Sequence, residues 1–388
     1  MHHYPETILL IERSPFQTRL IKKLLQTALP HSCQILNVRS LADAVKQLEQ
    51  QPVDIILTDL NLPDYLPEKI VCFLNKHVPE MPIVIITGDS NEETAIRSLQ
   101  QGAQDYLIKK EMTGPLLIKM LGYAIERKRI QLELQRSLQL IHEQNTQMRD
   151  ELELAAQTQN YILSGVTHPT FLQTTFYYHP FGTISGDTYD IRLNREGAIV
   201  VFLGDGTGHG IPASLITMMV HMGLKTINMS LPVSEIMNQL NQHMGTCLPP
   251  DQFMTGIFVR ISANGNMEIC NAGHPTLVSL PANSQNELCL FNADGPPLGM
   301  IEDVQYNERT HHLDPGDRFF MFTDGLTEWA NPDAVLFSEE QVMSCLLHHR
   351  HENLNAMMSG LLNAAQEFAE GVVCNDDMTI LGFEFAGE

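Results

Sequence analysis

The chain is poor in positive charge where it is richest in negative charge. Over residues 166–388 only 7 Lys and Arg stand against 26 Asp and Glu, which supplies −19 of the −22 carried by all 388 residues. That balance argues against a nucleic-acid surface built on phosphate contacts and suits a site for cations. No run of 18 apolar residues occurs, so no membrane span is expected. The start, Met1 to Glu6, has no basic segment followed by an apolar one, so no secretory leader is read. The seven cysteines are odd in number and include no Cys-x-x-Cys pair, and a reducing, cytoplasmic setting is expected. None lies in a phosphate-loop phrase, which disfavours thiol phosphatase chemistry. Residues 117–163 lack proline altogether and have glycine only at Gly122.

A chain this long exceeds what one core commonly supports. Charge divides it in three. Residues 1–122 hold 12 basic and 14 acidic side chains (−2), residues 123–165 hold 5 and 6 (−1), and 166–388 hold the rest. The expected domains are therefore 1–122, 123–165 and 166–388. In the first, β-rich runs at 7–12, 34–38, 54–59, 83–88 and 105–109 alternate with amphipathic stretches. Alternation of this kind predicts an α/β, doubly wound, five-stranded parallel sheet, with functional groups at the carboxyl ends of its strands. Glu12, Asp59, Thr87 and Lys109 stand at such ends.

The second segment reads as one long helix. Leu134, Leu138, Ile141, Asn145, Met148, Leu152, Ala155, Gln159 and Ile162 step by four and three, a heptad row with polar interruptions at Asn145 and Gln159. A parallel dimeric coiled coil is the functional reading, and a helix packed on its own domains is the plainer one. Gly165 to Pro169 is expected to end it.

The third segment mixes strand-like runs at 171–178, 198–204, 253–261, 267–271, 276–280 and 378–385 with helical patterns at 211–228, 232–247 and 339–369. An α+β fold is expected, an α-β-β-α sandwich. Four acidic phrases abut its apolar runs: Gly186-Asp187-Thr188-Tyr189-Asp190, Gly204-Asp205-Gly206-Thr207-Gly208-His209-Gly210, Thr323-Asp324-Gly325 and Asp376-Asp377-Met378-Thr379. One Asp-Gly alone marks a turn. Four such phrases can converge, and hard divalent cations take oxygen ligands of this kind. Gly206, Gly208 and Gly210 let the backbone approach a ligand. His209 is as readily a turn residue as a catalytic one.

The first segment resembles a two-component response-regulator receiver. The phrases that carry the resemblance are Ile8 to Pro15, Asp54 to Asp64, Ile86-Thr87-Gly88 and Gly102 to Lys109. It implies Asp59 as phospho-acceptor, Thr87 as switch hydroxyl, Lys109 as the phosphate-pairing ammonium, Glu12 as an acid available to Mg²⁺, and a histidine kinase upstream. Receivers usually carry two acids after the first strand, and here the second position is Arg13. A guanidinium there is expected to pair with Asp59 and repel Mg²⁺, or to clasp the phosphoryl group later.

The third segment is similar to the SpoIIE-type branch of the metal-dependent (PPM) serine/threonine phosphatases. Besides the acidic phrases it has the lead-in Glu151 to Gln159, Asn271-Ala272-Gly273-His274-Pro275 and Pro296-Pro297-Leu298-Gly299. The resemblance implies that Asp205 bridges two Mn²⁺ or Mg²⁺ ions, with the Gly206 carbonyl on one and Asp187, Asp324 and Asp376 on the other. Asp377 is the alternative to Asp376, and Asp190 is expected just behind the ligands. Asn271, Gly273 and His274 are expected to shape core and loop. The implied activity is hydrolysis of phosphoserine or phosphothreonine on a protein, a STAS-type anti-sigma-factor antagonist, by a water held between two ions. The rival is a non-enzymatic adaptor that binds a sigma factor or partner-switching protein. A cyclic-nucleotide enzyme is disfavoured, since no Gly-Gly-Asp-Glu-Phe-like phrase accompanies Gly186-Asp187.

Overall fold

The computed structural model describes residues 4–29, 33–88, 92–163, 169–284 and 287–387. They form two compact units divided between Thr146 and Gln147.

The first unit alternates β1 (Thr7–Ile11), α1 (Pro15–Ala28), β2 (Gln34–Val38), α2 (Leu41–Gln50), β3 (Ile55–Asp59), α3 (Ile70–His77), β4 (Ile83–Thr87), α4 (Glu92–Gln100), β5 (Asp105–Ile108) and α5 (Gly114–Leu163), which continues into the second unit. The strands run in the order β2-β1-β3-β4-β5, all neighbours parallel. Every residue of β3 and β4 is buried, as a sheet covered on both faces requires. Ile8, Leu10, Leu57 and Ile86 meet Ile21, Leu25, Leu117 and Leu121 on one face. Leu9, Ile11, Ile56 and Ile85 meet Leu41, Val71 and Leu74 on the other. Ser14 and Ser40 cap α1 and α2 by accepting from the amides of Gln17 and Asp43, satisfying donors that a helix start leaves free.

The heptad row of α5 divides along its length. Leu134, Leu138, Ile141 and Met148 are 52–59 % exposed, so no part of the described chain covers them. Beyond Met148 the row is mixed, with Ala155 exposed, Leu152 and Ile162 half-buried and Gln159 buried. Gln159 is buried, its amide donating to the Ser185 carbonyl (2.7 Å) and to Thr217 Oγ1 (3.3 Å) and its oxygen accepting from the Ser185 amide (3.1 Å). Leu163 joins a core cluster. The seam expected to continue through Leu152, Ala155, Gln159 and Ile162 is thus interrupted: Gln159 serves its own unit because polar partners await it there. The helix stop expected at Gly165 falls on 164–168, outside the described residues.

The second unit holds β6 (Leu172–His179), β7 (Asp187–Leu193), β8 (Ile199–Gly206), α6 (Ile211–Thr226), α7 (Val233–Cys247), β9 (Met254–Ile261), β10 (Asn266–Ala272), β11 (Leu277–Leu280), β12 (Cys289–Phe291), β13 (Arg309–His312), β14 (Arg318–Phe322), α8 (Asp324–Thr327), α9 (Ser338–His348), α10 (Leu354–Phe368) and β15 (Met378–Phe385). One sheet is ordered β13-β10-β9-β8-β7 and the other β12-β11-β14-β15-β6. Their facing sides share a core of Ile191, Val201, Leu203, Ile257, Val259, Phe319, Leu381 and Phe383. α6 and α7 cover the back of the first sheet through Ile216, Val220, Ile236 and Leu240 on Val200, Phe202 and Phe258. α9 and α10 cover the back of the second through Val342, Leu346, Met357 and Leu361 on Phe320, Phe322 and Ile380. This is the expected α-β-β-α sandwich. The expected helix 339–369 is two helices, because Asn353 caps α10 by accepting from the Ala356 amide at 2.9 Å. Among the described residues no helix is long and apolar enough to cross a membrane.

Phe383 and Phe319 stack across β14 and β15 with ring centroids 4.7 Å apart, both without solvent exposure. Phe383→Ala would leave a cavity between the sheets and is expected to cost about 3–5 kcal/mol of stability. Guanidinium unfolding of the purified protein measures this directly.

Candidate functional site

In the first unit three strand ends bring charge together. Asp59 closes β3, Glu12 follows β1 and Lys109 follows β5. The Lys109 ammonium donates to Glu12 Oε2 at 2.8 Å and to Asp59 Oδ2 at 2.9 Å. Burial alone would lower the affinity of that amine for its proton, but the two carboxylates outweigh it and hold the ammonium above its ordinary range. Both acids are almost completely buried, and Asp59 Oδ1 has no hydrogen-bond partner. Thr87 is buried at the end of β4 and donates to the Gly88 carbonyl at 3.2 Å. Arg13 departs from the expectation of an ion pair. It is exposed, and the cation on Asp59 is Lys109. Lys109, just past β5, reaches the buried carboxylates, whereas Arg13 is exposed beyond the end of β1.

In the second unit the sheet register gathers the acids. Asp187 lies opposite Asp205 on the neighbouring strand, and Asp205 lies opposite Thr255 on the next. Side chains directly opposite share a face, and this face is the one that lines the inter-sheet core through Leu203 and Ile257. The far sheet answers with hydroxyls. Thr323 Oγ1 and Thr379 Oγ1 donate to Asp187 Oδ2 at 2.8 and 2.6 Å, and the Thr379 amide donates to Thr323 Oγ1 at 2.9 Å. Asp187 Oδ1 is buried with no partner.

The loops complete the ring. Asp324 opens α8 directly after Thr323. Gly325 passes so near the Asp376–Met378 segment that a Cβ on it would stand 2.0 Å from the Asp377 carbonyl oxygen. Glycine is required there for lack of space. Asp377 is buried and accepts from the amides of Phe181 (2.8 Å) and Gly186 (2.6 Å). Asp376 is half-buried, and among the described residues its Oδ1 accepts only from the Asp377 amide at 2.8 Å. The Gly206 amide donates to the Gly186 carbonyl at 3.1 Å, and Thr207 is fastened to Phe253 through both backbone and hydroxyl.

Electrostatics mark the cluster as under stress. Burial raises the carboxyl of Asp187, and Asp377 and Asp324 raise it further against the pull of its two threonines. Burial also raises Asp205, which then feels Asp187, Asp324, Asp376 and Asp377 together. Asp324 is pushed up to about 6 by burial and by Asp376 and Glu328. Asp376 is raised by burial and by Asp377, while the nearby His209 pulls it down. Among the described residues no three acidic, histidine or cysteine side chains close into a ready cage for an ion. The carboxylates feel one another across the space between the strands. A donor set made of oxygen, one of whose buried atoms lacks any partner, nonetheless fits a hard divalent cation.

Asp190 does not join them. It falls on the opposite face of β7 from Asp187 and stands 3.3 Å from Arg192. His274 is fully buried, its Nδ1 2.9 Å from Thr255 Oγ1, and burial holds its imidazole down to about 3. Asn271 fixes the turn around it, bonding both the amide and the carbonyl of His274. The residues that sequence reasoning passed over are Thr323 and Thr379, which hold Asp187, and Gln159, which grips Ser185 two residues before it. Both threonines stand inside the acidic phrases, Thr323-Asp324-Gly325 and Asp376-Asp377-Met378-Thr379, and their hydroxyls were the available signal.

Comparison with known proteins places these features. Residues 8–121 match the model of the response regulator receiver domain, and residues 195–386 match that of stage II sporulation protein E (SpoIIE). The chain joins a receiver domain to a SpoIIE domain. The phosphoserine phosphatase RsbP of Bacillus subtilis (strain 168) is 30 % identical over 187 residues, which are 46 % of this chain and 45 % of RsbP. The phosphoserine phosphatase RsbU of the same organism is 24 % identical over 242 residues, 61 % of this chain and 70 % of RsbU. The chain thus spans about half the length of RsbP. The SiaA-PP2C domain of Pseudomonas aeruginosa superposes with a TM-score of 0.55 at 20 % identity, covering 62 % of this chain and 98 % of that domain. It shares the fold of the SpoIIE domain.

Raised carboxyls give a pH signature. An acid whose folded-state pKa exceeds its unfolded value of about 4 adds stability that is complete below that value and is lost as pH climbs through the folded one. For Asp324 the window runs from about 4 to about 6, and Asp187 and Asp205 extend it upward. In chelator, the melting temperature of the full chain is therefore expected to fall between pH 5 and pH 8. Scanning calorimetry that shows a flat or rising profile would contradict the assignment of stress to this cluster.

Proposed function

We propose that the chain is a receiver-regulated protein phosphatase that hydrolyses phosphoserine or phosphothreonine on a protein substrate. The observation that carries the reading is Asp187: a buried carboxylate clasped on one oxygen by Thr323 and Thr379, with the other oxygen unpartnered and facing the field of Asp205 and Asp324. Such an atom is costly unless something positive meets it. Two Mn²⁺ or Mg²⁺ ions fit that need. Asp205 and the Gly206 carbonyl would lie between and beside them, and Asp187, Asp324 and Asp376 would hold them from the flanks. Asp376 is assigned ahead of Asp377, because Asp377 already spends both oxygens on backbone amides. When bound, the ions supply a water ionised near neutral pH and neutralise charge on the phosphoryl oxygens.

The protein's own contribution is to hold that geometry. The threonine clasp fixes Asp187, the Asp377 bridge fixes the loop before it, and the Gly325 contact sets Asp324 beside Asp376. The substrate is proposed to be a small phosphorylated STAS-type protein of a partner-switching system, a reading supported by the likeness to RsbP and RsbU. The receiver, 1–122, is the proposed input, with Asp59 as acceptor, Lys109 as the group that would pair its phosphate, and a histidine kinase as donor; Mg²⁺ would sit against Glu12 and Asp59. The segment 123–165 is proposed to link it to the phosphatase, 166–388, in the cytoplasm.

Two experiments test this. Asp205→Asn removes the charge between the ions, and Mn²⁺-dependent release of phosphate from a phosphoserine protein is expected to drop by at least about a hundredfold. Turnover near that of the wild type would remove Asp205 from the centre, and no metal-dependent turnover in the wild type would leave the adaptor reading. The exposed row Leu134, Leu138, Ile141 and Met148 supports a parallel homodimer through its N-terminal part. Leu134→Asp with Leu138→Asp is expected to shift sedimentation from dimer to monomer at micromolar concentration. A monomeric wild type would refute the dimer.

A further inference from the structure

The seven cations of residues 166–388 are not spread evenly. Arg260 pairs with Glu268, Arg309 with Asp294 and Arg318 with Glu384, and Arg350 is bonded to the carbonyls of Pro281 and Ser284. The remaining three, Arg192, Arg195 and Lys225, line one cleft of about 360 Å³. It lies between the β7–β8 turn and the last turn of α6 with the segment that follows, at the opposite end of β7 from Asp187. Arg192 is partly spent, donating to the Leu224 carbonyl at 2.7 Å and standing 3.3 Å from Asp190. Arg195 and Lys225 are exposed and make no ion pair among the described residues. In a segment carrying −19 this is where unneutralised positive charge collects.

The walls are fixed independently of any ligand. Asn194 Oδ1 accepts from the amides of Glu196 (3.0 Å) and Ala198 (2.9 Å), building the turn that presents Arg195. Arg260, partly buried, donates to the carbonyls of Met229 (3.3 Å) and Leu231 (2.6 Å), holding the far wall. The carbonyl end of α6 draws cations toward this place, but Arg192 already meets it, which leaves Arg195 and Lys225 in excess. Glu196 follows Arg195 on the turn and Asp190 offsets Arg192, so the surplus is modest and local.

We propose that this cleft is a binding site for a small phosphate-bearing anion, separate from the aspartate centre. A guanidinium and an ammonium each donate charge-assisted hydrogen bonds to phosphate oxygens. The cleft has the volume of a small-ligand pocket. The whole chain carries −22, so its net charge repels anions and saturable binding reports a local cluster of cations, which the variants below assign to this cleft.

Titration calorimetry of the full-length protein, stripped of divalent ions, with pyrophosphate as the probe tests the proposal. Without metal the aspartates repel pyrophosphate, so the signal belongs to cations. One saturable site is expected, weakening as salt is raised. Arg195→Gln with Lys225→Gln is expected to weaken it at least tenfold while the melting temperature stays that of the wild type. The charge-conserving exchange Arg195→Lys with Lys225→Arg is expected to retain it. Absence of saturation in the wild type, or equal binding by the Gln double variant, would overturn the site. So would loss of binding in the charge-conserving exchange, since charge at this cleft is the claim. None of these outcomes depends on turnover, so the site stands or falls apart from the phosphatase reading.

Discussion

The second unit depends on the burial of one carboxylate. Asp187 sits where two sheets meet, and the hydroxyls of Thr323 and Thr379 reach it from the opposite sheet. Burying an ionised group without a partner is among the costliest things a protein can do. The fold accepts that cost here and surrounds the group with further acids, which push Asp187, Asp205 and Asp324 toward their neutral forms. The apolar remainder of the inter-sheet space, stacked phenylalanines included, supplies the stability that lets the strained end persist.

Much of this was legible in the sequence, for physical reasons that differ by element. The receiver strands are continuous apolar runs cut off by an acid or a lysine, and a parallel sheet covered on both faces leaves that mark. Asp205 and Asp324 adjoin equally clear runs. β7 was not read, because Asp187 to Leu193 mixes acid, hydroxyl, aromatic and guanidinium in seven residues and owes its strand state to pairing with β8. The break between α9 and α10 turned on a cap at Asn353 that hydrophobic spacing does not register.

Three ambiguities needed coordinates. Heptad spacing says which residues share a helix face but not what covers it. Gln159 therefore reads as an interruption in a seam, although its amide has three partners within its own unit. Asp376 and Asp377 are neighbours of identical chemistry. Only the amides of Phe181 and Gly186 distinguish them, by engaging one and leaving the other. In the receiver, Arg13 occupies a motif position whose usual resident faces the acceptor, yet it is Lys109 that reaches Asp59. Motif position fixes the backbone, and the side chain then follows solvent and competing partners.

The clasp on Asp187 makes the two oxygens of one carboxylate unlike each other. Oδ2 receives both hydroxyl protons and Oδ1 receives none. Negative charge in the ionised group is thereby drawn toward Oδ2, and the C–O bonds become unequal in length and stiffness. The two hydroxyl bonds give Oδ2 the larger share of the charge and leave Oδ1 with more carbonyl character. Among the described residues Oδ1 is the oxygen left open, so whatever approaches Asp187 meets it on the side the threonines leave free.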